Sequence, residues 1–303
     1  MYRFIFILFS TACFGQTYFN LANEFPQVNF NPNPDFSNIK PLSQSESNIV
    51  FNQIENNSKI QFNYPQGGCP ERAIITNYIL DSLKVDNFKI WLFAPSRLIK
   101  NSKEQIYIYD KNSLTTDAEN KIKWDFHVAP AILSENSNGT IDTLIIDPSV
   151  AKKPLKTQEW LGHIEGAEKA KYSYTKGKFY NFFQQDNGRS NVINGSFFEY
   201  VSTSYNGLWL EKMLALNDVA FEMYKEYILN DDVDLSTKAD VKVVIGNSAT
   251  LKDVLDFKSG APAKSSIRYL INNQNEFIIK SWDLYQRQIL IWADRIENLK
   301  LQN

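Results

Sequence analysis

Tyr64-Pro65-Gln66-Gly67-Gly68-Cys69-Pro70-Glu71-Arg72-Ala73 is followed by Ile74, Ile75, Tyr78, Ile79 and Leu83, apolar residues at helical spacing. The stretch predicts a helix that begins at or just after Cys69. Pro70 suits the first turn because its missing N–H would have had no partner there, and Glu71 suits the positive end of the helix dipole. Gly67-Gly68 supplies the tight turn ahead of it. A cysteine at such a junction faces unpaired backbone N–H groups, which favour the thiolate and can also hold an oxyanion. Many buried cysteines begin helices without doing chemistry, so a base has to be found elsewhere in the chain.

The search for that base is short, because the only histidines are His127 and His163. His127 lies in Trp124-Asp125-Phe126-His127-Val128-Ala129-Pro130-Ala131-Ile132-Leu133, which reads as a strand. Glu135-Asn136-Ser137-Asn138-Gly139 is a turn cluster, and Thr140 to Asp147 reads as a second strand stopped by Pro148. In a hairpin centred on Ser137, His127 and Asp147 stand directly opposite one another, with Cβ atoms ~5 Å apart and side chains on one face. The pairing is conditional on that register. Taken singly, His127 reads as a core or surface histidine and Asp147 as a strand cap. Taken with the thiol, the candidate catalytic residues are Cys69, His127 and Asp147: the sulfur attacks a carbonyl carbon, the imidazole takes and returns the proton, and the carboxylate fixes the tautomer. His163, in Trp160-Leu161-Gly162-His163, reads as structural. The ligand types needed for a metal site are too few, and no cofactor is implied.

Outward from these motifs, Met1-Tyr2-Arg3, the apolar run Phe4 to Phe9 and the small residues leading to Gln16 predict an export signal cleaved near Gln16. The apolar run is too short to span a bilayer. A secreted or periplasmic location is therefore expected. Ser10-Thr11-Ala12-Cys13 also looks like a lipoprotein signal, in which Cys13 would carry the lipid; a buried first strand is the bland alternative. Once the leader is removed, Cys69 is the sole thiol of a chain with 2 cysteines, so no internal disulfide forms. Residues 17–48, rich in Asn, Pro, Gln and Ser, read as a flexible linker or short pro-like segment, residues 49–205 as the catalytic domain, and residues 206–303 as a mostly helical region.

Within that last region Leu210, Leu214, Asn217, Phe221, Tyr224 and Ile228 make one apolar stripe, stopped at Asn230-Asp231-Asp232. Ile278, Trp282, Tyr285, Ile289, Trp292, Ile296 and Leu299 make another. Packing of these helices on each other or on the catalytic domain is expected ahead of partner binding. A net charge of -2 over 303 residues, with no Lys/Arg block, lacks the electrostatic footprint of a nucleic-acid binder, and no transmembrane segment is apparent.

Gly68-Cys69 with Arg72-Ala73, then Trp124 and His127-Val128-Ala129-Pro130, then Ile146-Asp147-Pro148-Ser149, resemble the three motifs of the bacterial protein glutaminases (protein-glutamine deamidases), in the same order and with the same short His-to-Asp interval. The resemblance runs from about Tyr64 to Trp160. It implies a transglutaminase-like, papain-related α+β fold with an antiparallel sheet. It also implies hydrolysis of the side-chain amide of protein-bound glutamine through a thioester, giving glutamate and ammonia with no cofactor, on protein or peptide substrates. Three features depart from the family: Pro70 follows the cysteine where an aromatic residue or histidine is usual, the disulfide cysteines of secreted members are absent, and only a short segment stands where those members have a long inhibitory pro-region. A helical extension follows the domain, and the resemblance assigns it no counterpart. The same triad would serve a papain-like peptidase or a transglutaminase, the acyl acceptor being the difference, and a non-catalytic secreted binding module would have an unreactive thiol. Phe182, Phe183, Phe197 and Phe198 read as core ahead of a protein-binding groove.

Overall fold

The computed structural model describes residues 17–18, 32–185, 194–199, 208–260, 268 and 276–302. The expected signal sequence, Cys13, much of the 17–48 segment and the side chain of Phe183 lie outside the described residues.

In chain order the strands are β1 (Thr17–Tyr18), β2 (Leu42–Ser43), β3 (Phe88–Phe93), β4 (Ile106–Tyr109), β5 (Lys121–Trp124), β6 (Phe126–Glu135), β7 (Ile141–Ile145), β8 (Leu155–Lys156), β9 (Lys171–Lys176), β10 (Phe179–Gln185) and β11 (Asn194–Glu199). The main sheet has the order β1-β9-β3-β6-β7-β8, with β2 added in parallel to the end of β6. Its centre, β9-β3-β6-β7, is antiparallel. All of β3 is buried, with Phe88, Ile90 and Leu92 in one apolar layer and Trp91 and Phe93 in another. Lys89, also buried, donates from Nζ to the Phe179 carbonyl at 2.6 Å. β4-β5 and β10-β11 form separate hairpins.

The helices are α1 (Gln44–Asn57), α2 (Cys69–Ser82), the single turns α3 (Pro95–Leu98) and α4 (Thr157–Gly162), then α5 (Trp209–Met223), α6 (Leu235–Ile245), α7 (Ser248–Lys258) and α8 (Glu276–Gln302). Ordered structure begins ahead of Ile49: Ser43 and Glu46 make a reciprocal capping box that starts α1 at Gln44, a local signal concealed by the polar composition around it. α2 packs on β6, and the mixed helix and antiparallel-sheet architecture is the α+β class that the motifs imply.

After Asn206-Gly207, α5 runs into a π-helical turn, Tyr224–Ile228, and ends before Asn230. α8 lies along α5, and the Trp292 indole N–H donates to Asp218 at 2.7 Å. α6 and α7 are short, 11 residues each, and the sequence patterns above do not predict them. The helices do not form a separate body. Phe51 and Ile54 of α1, Ile74 and Leu80 of α2, Leu214 of α5, Val244 of α6, Leu251 of α7 and Trp292 of α8 belong to one buried cluster. Among the described residues no helix is long and apolar enough to cross a membrane.

Candidate active site

Cys69 is the first residue of α2 and Pro70 the second, as the turn chemistry predicts. Gly68 precedes them in the left-handed region at φ 78°, and no side chain caps the helix, so its first N–H groups have no acceptor within the helix. The turn is fastened from several directions. Arg72, buried, donates to the carbonyls of Gly67 (2.5 Å) and Tyr64 (3.3 Å). The Trp124 indole donates to Pro65 O at 3.1 Å, Gln66 Nε2 to Asp110 at 3.0 Å, and the Tyr64 hydroxyl to Ile245 O at 2.7 Å. Asp110 also accepts the backbone N–H groups of Asn112, Leu114 and Thr115, which makes it the anchor of the loop after β4.

His127 is the second residue of β6 and is 1 % exposed. Its Nε2 lies 2.8 Å from Asp147 Oδ2. Nδ1 has no hydrogen-bond partner among the described residues, and the Cys69 thiol acts on the same ring. With Nε2 taken by the carboxylate, Nδ1 is the nitrogen left for the sulfur. Trp124 lies parallel to the imidazole with centroids 4.4 Å apart, and Trp160 stacks at 5.7 Å. Burial by itself would lower the histidine pKa, but the Asp147 charge and hydrogen bond, joined by Cys69, override it and raise the value to about 9. Burial likewise works against ionised Asp147, yet His127, the Trp160 indole N–H (3.0 Å) and the Ser149 hydroxyl (2.8 Å) together hold its pKa below the usual range. The arrangement favours a carboxylate–imidazolium pair beside a thiol at a helix N-terminus, with the polar groups needed for acyl transfer.

The hairpin differs from the expected register. Ala131 pairs with Ile145 and Glu135 with Ile141, so the turn is centred on Asn138, not Ser137. Gly139, at φ 77°, and the Asn136 side chain, which accepts from the N–H groups of Asn138 and Thr140, accommodate the extra residue. Asp147 therefore is not the cross-strand partner of His127. The last ladder bond is Ile146 N to Pro130 O, and Asp147 lies beyond the end of β7, at the start of the turn made by Pro148 and Ser149. The first expected strand also divides: Trp124 ends β5 and pairs with β4, while β6 starts at Phe126.

Cys69, His127 and Asp147 are thus brought together; His163 is not, being the exposed C-cap of α4. Trp160 and Asp110 escaped the sequence reading, since an indole and a loop aspartate have no spacing that announces a hydrogen bond across the fold. Phe182 and Phe197 are buried in the cluster that contains Cys69, Trp91 and Phe93, in agreement with the core reading. A 310 Å³ cleft beside Arg295 and a 470 Å³ cleft beside Arg287 both lie along α8, and none of Cys69, His127 and Asp147 lines either. Among the described residues no cluster of His, Cys, Asp and Glu is arranged to hold a metal ion.

Residues 47–164 match the Glutaminase family. No curated protein matches the chain. Among solved structures, the protein-glutaminase of Chryseobacterium proteolyticum is 20% identical over 61% of this chain and 89% of its own, with a TM-score of 0.38. A crystal structure of protein-glutaminase is 20% identical over 65% of this chain and 94% of its own, with a TM-score of 0.40. One of pro-protein-glutaminase is 21% identical over 64% of this chain and 65% of its own, also at 0.40.

Proposed function

From the match of residues 47–164 to the Glutaminase family we propose that Cys69, His127 and Asp147 deamidate protein-bound glutamine as a catalytic triad in an exported protein. The thiolate of Cys69 attacks the side-chain carboxamide carbon, and the carbonyl electron pair moves to oxygen. His127 gives its proton to the departing nitrogen, so that ammonia leaves as the C–N bond breaks and a thioester remains. Water, losing a proton to His127, then opens the thioester to glutamate and restores the thiolate. Asp147 keeps Nε2 occupied and stabilises the imidazolium, which leaves Nδ1 to exchange protons with the reacting atoms.

The observation that carries this reading is the 2.8 Å His127–Asp147 bond, with Nδ1 of the same ring left unpaired and Cys69, whose thiol favours the ring's protonated form, at the uncapped start of α2. Water as acceptor distinguishes a deamidase from a transglutaminase, and a side-chain donor distinguishes it from a peptidase. Incubation with a glutamine-containing protein is expected to release ammonia and to convert single amides to acids without chain cleavage or crosslinking. Release that persists at the wild-type rate in Cys69→Ala would overturn the assignment of the nucleophile. Cleaved or crosslinked products in place of acids would overturn the choice of reaction. The export signal is tested separately, by the N-terminal sequence and location of the mature protein.

A further inference from the structure

Asn217 stands in the apolar stripe of α5, 1 % exposed, and neither its Oδ1 nor its Nδ2 has a hydrogen-bond partner among the described residues. Leaving such a carboxamide dry and unpaired is unfavourable. The side chain lies over Gly68. A Cβ placed on Gly68 would meet Asn217 Nδ2 at 2.4 Å and Oδ1 at 3.3 Å, so the amide turns its donor end toward the turn that precedes Cys69. There the fourteen-residue α2 opens with no side-chain cap. Cys69 follows Gly68 directly, so the same Nδ2 stands beside the turn that carries the Cys69 N–H, and an oxyanion there would need its donors at ~3 Å.

From this convergence we infer that Asn217 donates, together with Cys69 N–H, to the oxygen of the carbonyl that Cys69 attacks, so that the C-terminal helices complete the oxyanion hole. The inference rests on the reading of Cys69 as nucleophile. As the S–C bond forms, the C=O π pair moves to the oxygen, where the two N–H groups hold the charge. Asn217 exchanges no proton, and the pair returns to C=O when the C–N bond breaks. An amide left unpaired in the resting protein and paired only when charge develops lowers the barrier without tightening ground-state binding. It also gives α5 a place in the reaction, through a residue outside the segment that matches the family.

Two probes separate this role from a structural one. Acylation of Cys69 by p-nitrophenyl acetate passes through an oxyanion, whereas alkylation by iodoacetamide is a displacement at saturated carbon and does not. In Asn217→Leu, burst release of p-nitrophenolate is expected to fall roughly 10²- to 10³-fold, with alkylation and its pH dependence as in wild type. The thermal midpoint should be unchanged or higher, since a buried unpaired amide gives way to an apolar side chain of similar size. If that variant does not fold, Asn217→Ala carries the same comparison at some loss of stability. Unaltered acylation overturns the inference, and so does a parallel fall in acylation and alkylation, which would show the residue acting through the thiolate. Ammonia release is followed alongside: a wild-type protein that makes none refutes deamidation, while the contrast between the two probes still decides Asn217.

Discussion

Asp147 Oδ2 receives two hydrogen bonds, from His127 Nε2 at 2.8 Å and from Trp160 Nε1 at 3.0 Å, while Ser149 holds the other oxygen. Three segments of chain therefore set the position of one carboxylate, and through it the imidazole.

Asp147→Asn keeps the shape of that node and removes its charge. The imidazolium loses its partner and the tautomer is no longer enforced, so kcat for ammonia release is expected to fall roughly 10³- to 10⁴-fold. Trp160→Phe keeps the ring beside His127 but removes one donor to the carboxylate, for which a roughly tenfold loss is expected. Steady-state kinetics on one glutamine-containing protein check both; equal effects of the two substitutions would contradict this division of labour.

The same pair predicts how stability responds to pH. His127 is raised from 6.5 to about 9, so its contribution is complete below about 6.5 and is lost as pH rises through about 9. Asp147 is held below 3.8, so its contribution is present above that value and is lost on acidification below it. The difference in thermal midpoint between wild type and His127→Gln should be widest between about pH 4 and 6.5 and should narrow above 9. A difference that is constant from acid to alkali would show that the pair does not titrate as the geometry requires.

Gly68 and Gly67 are both pressed by the C-terminal helices. Gly68→Ala forces a Cβ onto a φ of 78° and to 2.4 Å from Asn217 Nδ2, and activity should be lost along with about 1–3 kcal/mol of stability. Gly67→Ala meets Ser248 Oγ at 2.3 Å and Cβ at 2.7 Å. The second clash has a specific remedy, because Ser248→Gly removes both atoms. Denaturant unfolding of the two single variants and the double variant should show recovery of part of the loss; purely additive effects would place the strain elsewhere.

Asp218, beneath Trp292, illustrates the cost of burying an acid between helices. Burial raises its pKa to about 7, against the opposing pull of the Trp292 hydrogen bond and Arg295. Its contribution to stability is present below 3.8 and declines as pH rises through about 7. Asp218→Asn still accepts the indole N–H and carries no charge, so it should stabilise the protein at pH ~8 by on the order of 1–3 kcal/mol and have little effect at pH ~4. Chemical unfolding at the two pH values tests this, and a gain of equal size at both would rule out ionisation as the cause.

Cys69 and its helix were legible because their signals are local: two glycines, a proline at the second helical position and an apolar spacing of three and four. The two strands that flank the Asn136–Gly139 turn were legible in the same way, though not their register or the break before Phe126, and so were the stripes that became α5 and α8. The His127–Asp147 contact was reached by a register that the structure does not adopt. The contact forms nonetheless, because Asp147 has already left the ladder and is aimed by the Pro148 turn, Ser149 and Trp160. Asn217 was visible in the sequence only as one position of an apolar stripe, since nothing in a helical period says what lies opposite it.

The sequence by itself determined the helix that starts at Cys69 and the strand-turn-strand unit around His127, because capping, turn propensity and hydrophobic periodicity act over a few residues. Only the tertiary structure decided which ring nitrogen the carboxylate occupies, that Trp160 shares it, and that Asn217 and Ser248 close upon Gly68 and Gly67. Those are contacts between segments far apart in the chain. Their geometry follows from how two apolar layers and a helical bundle bury one another, which no local pattern encodes.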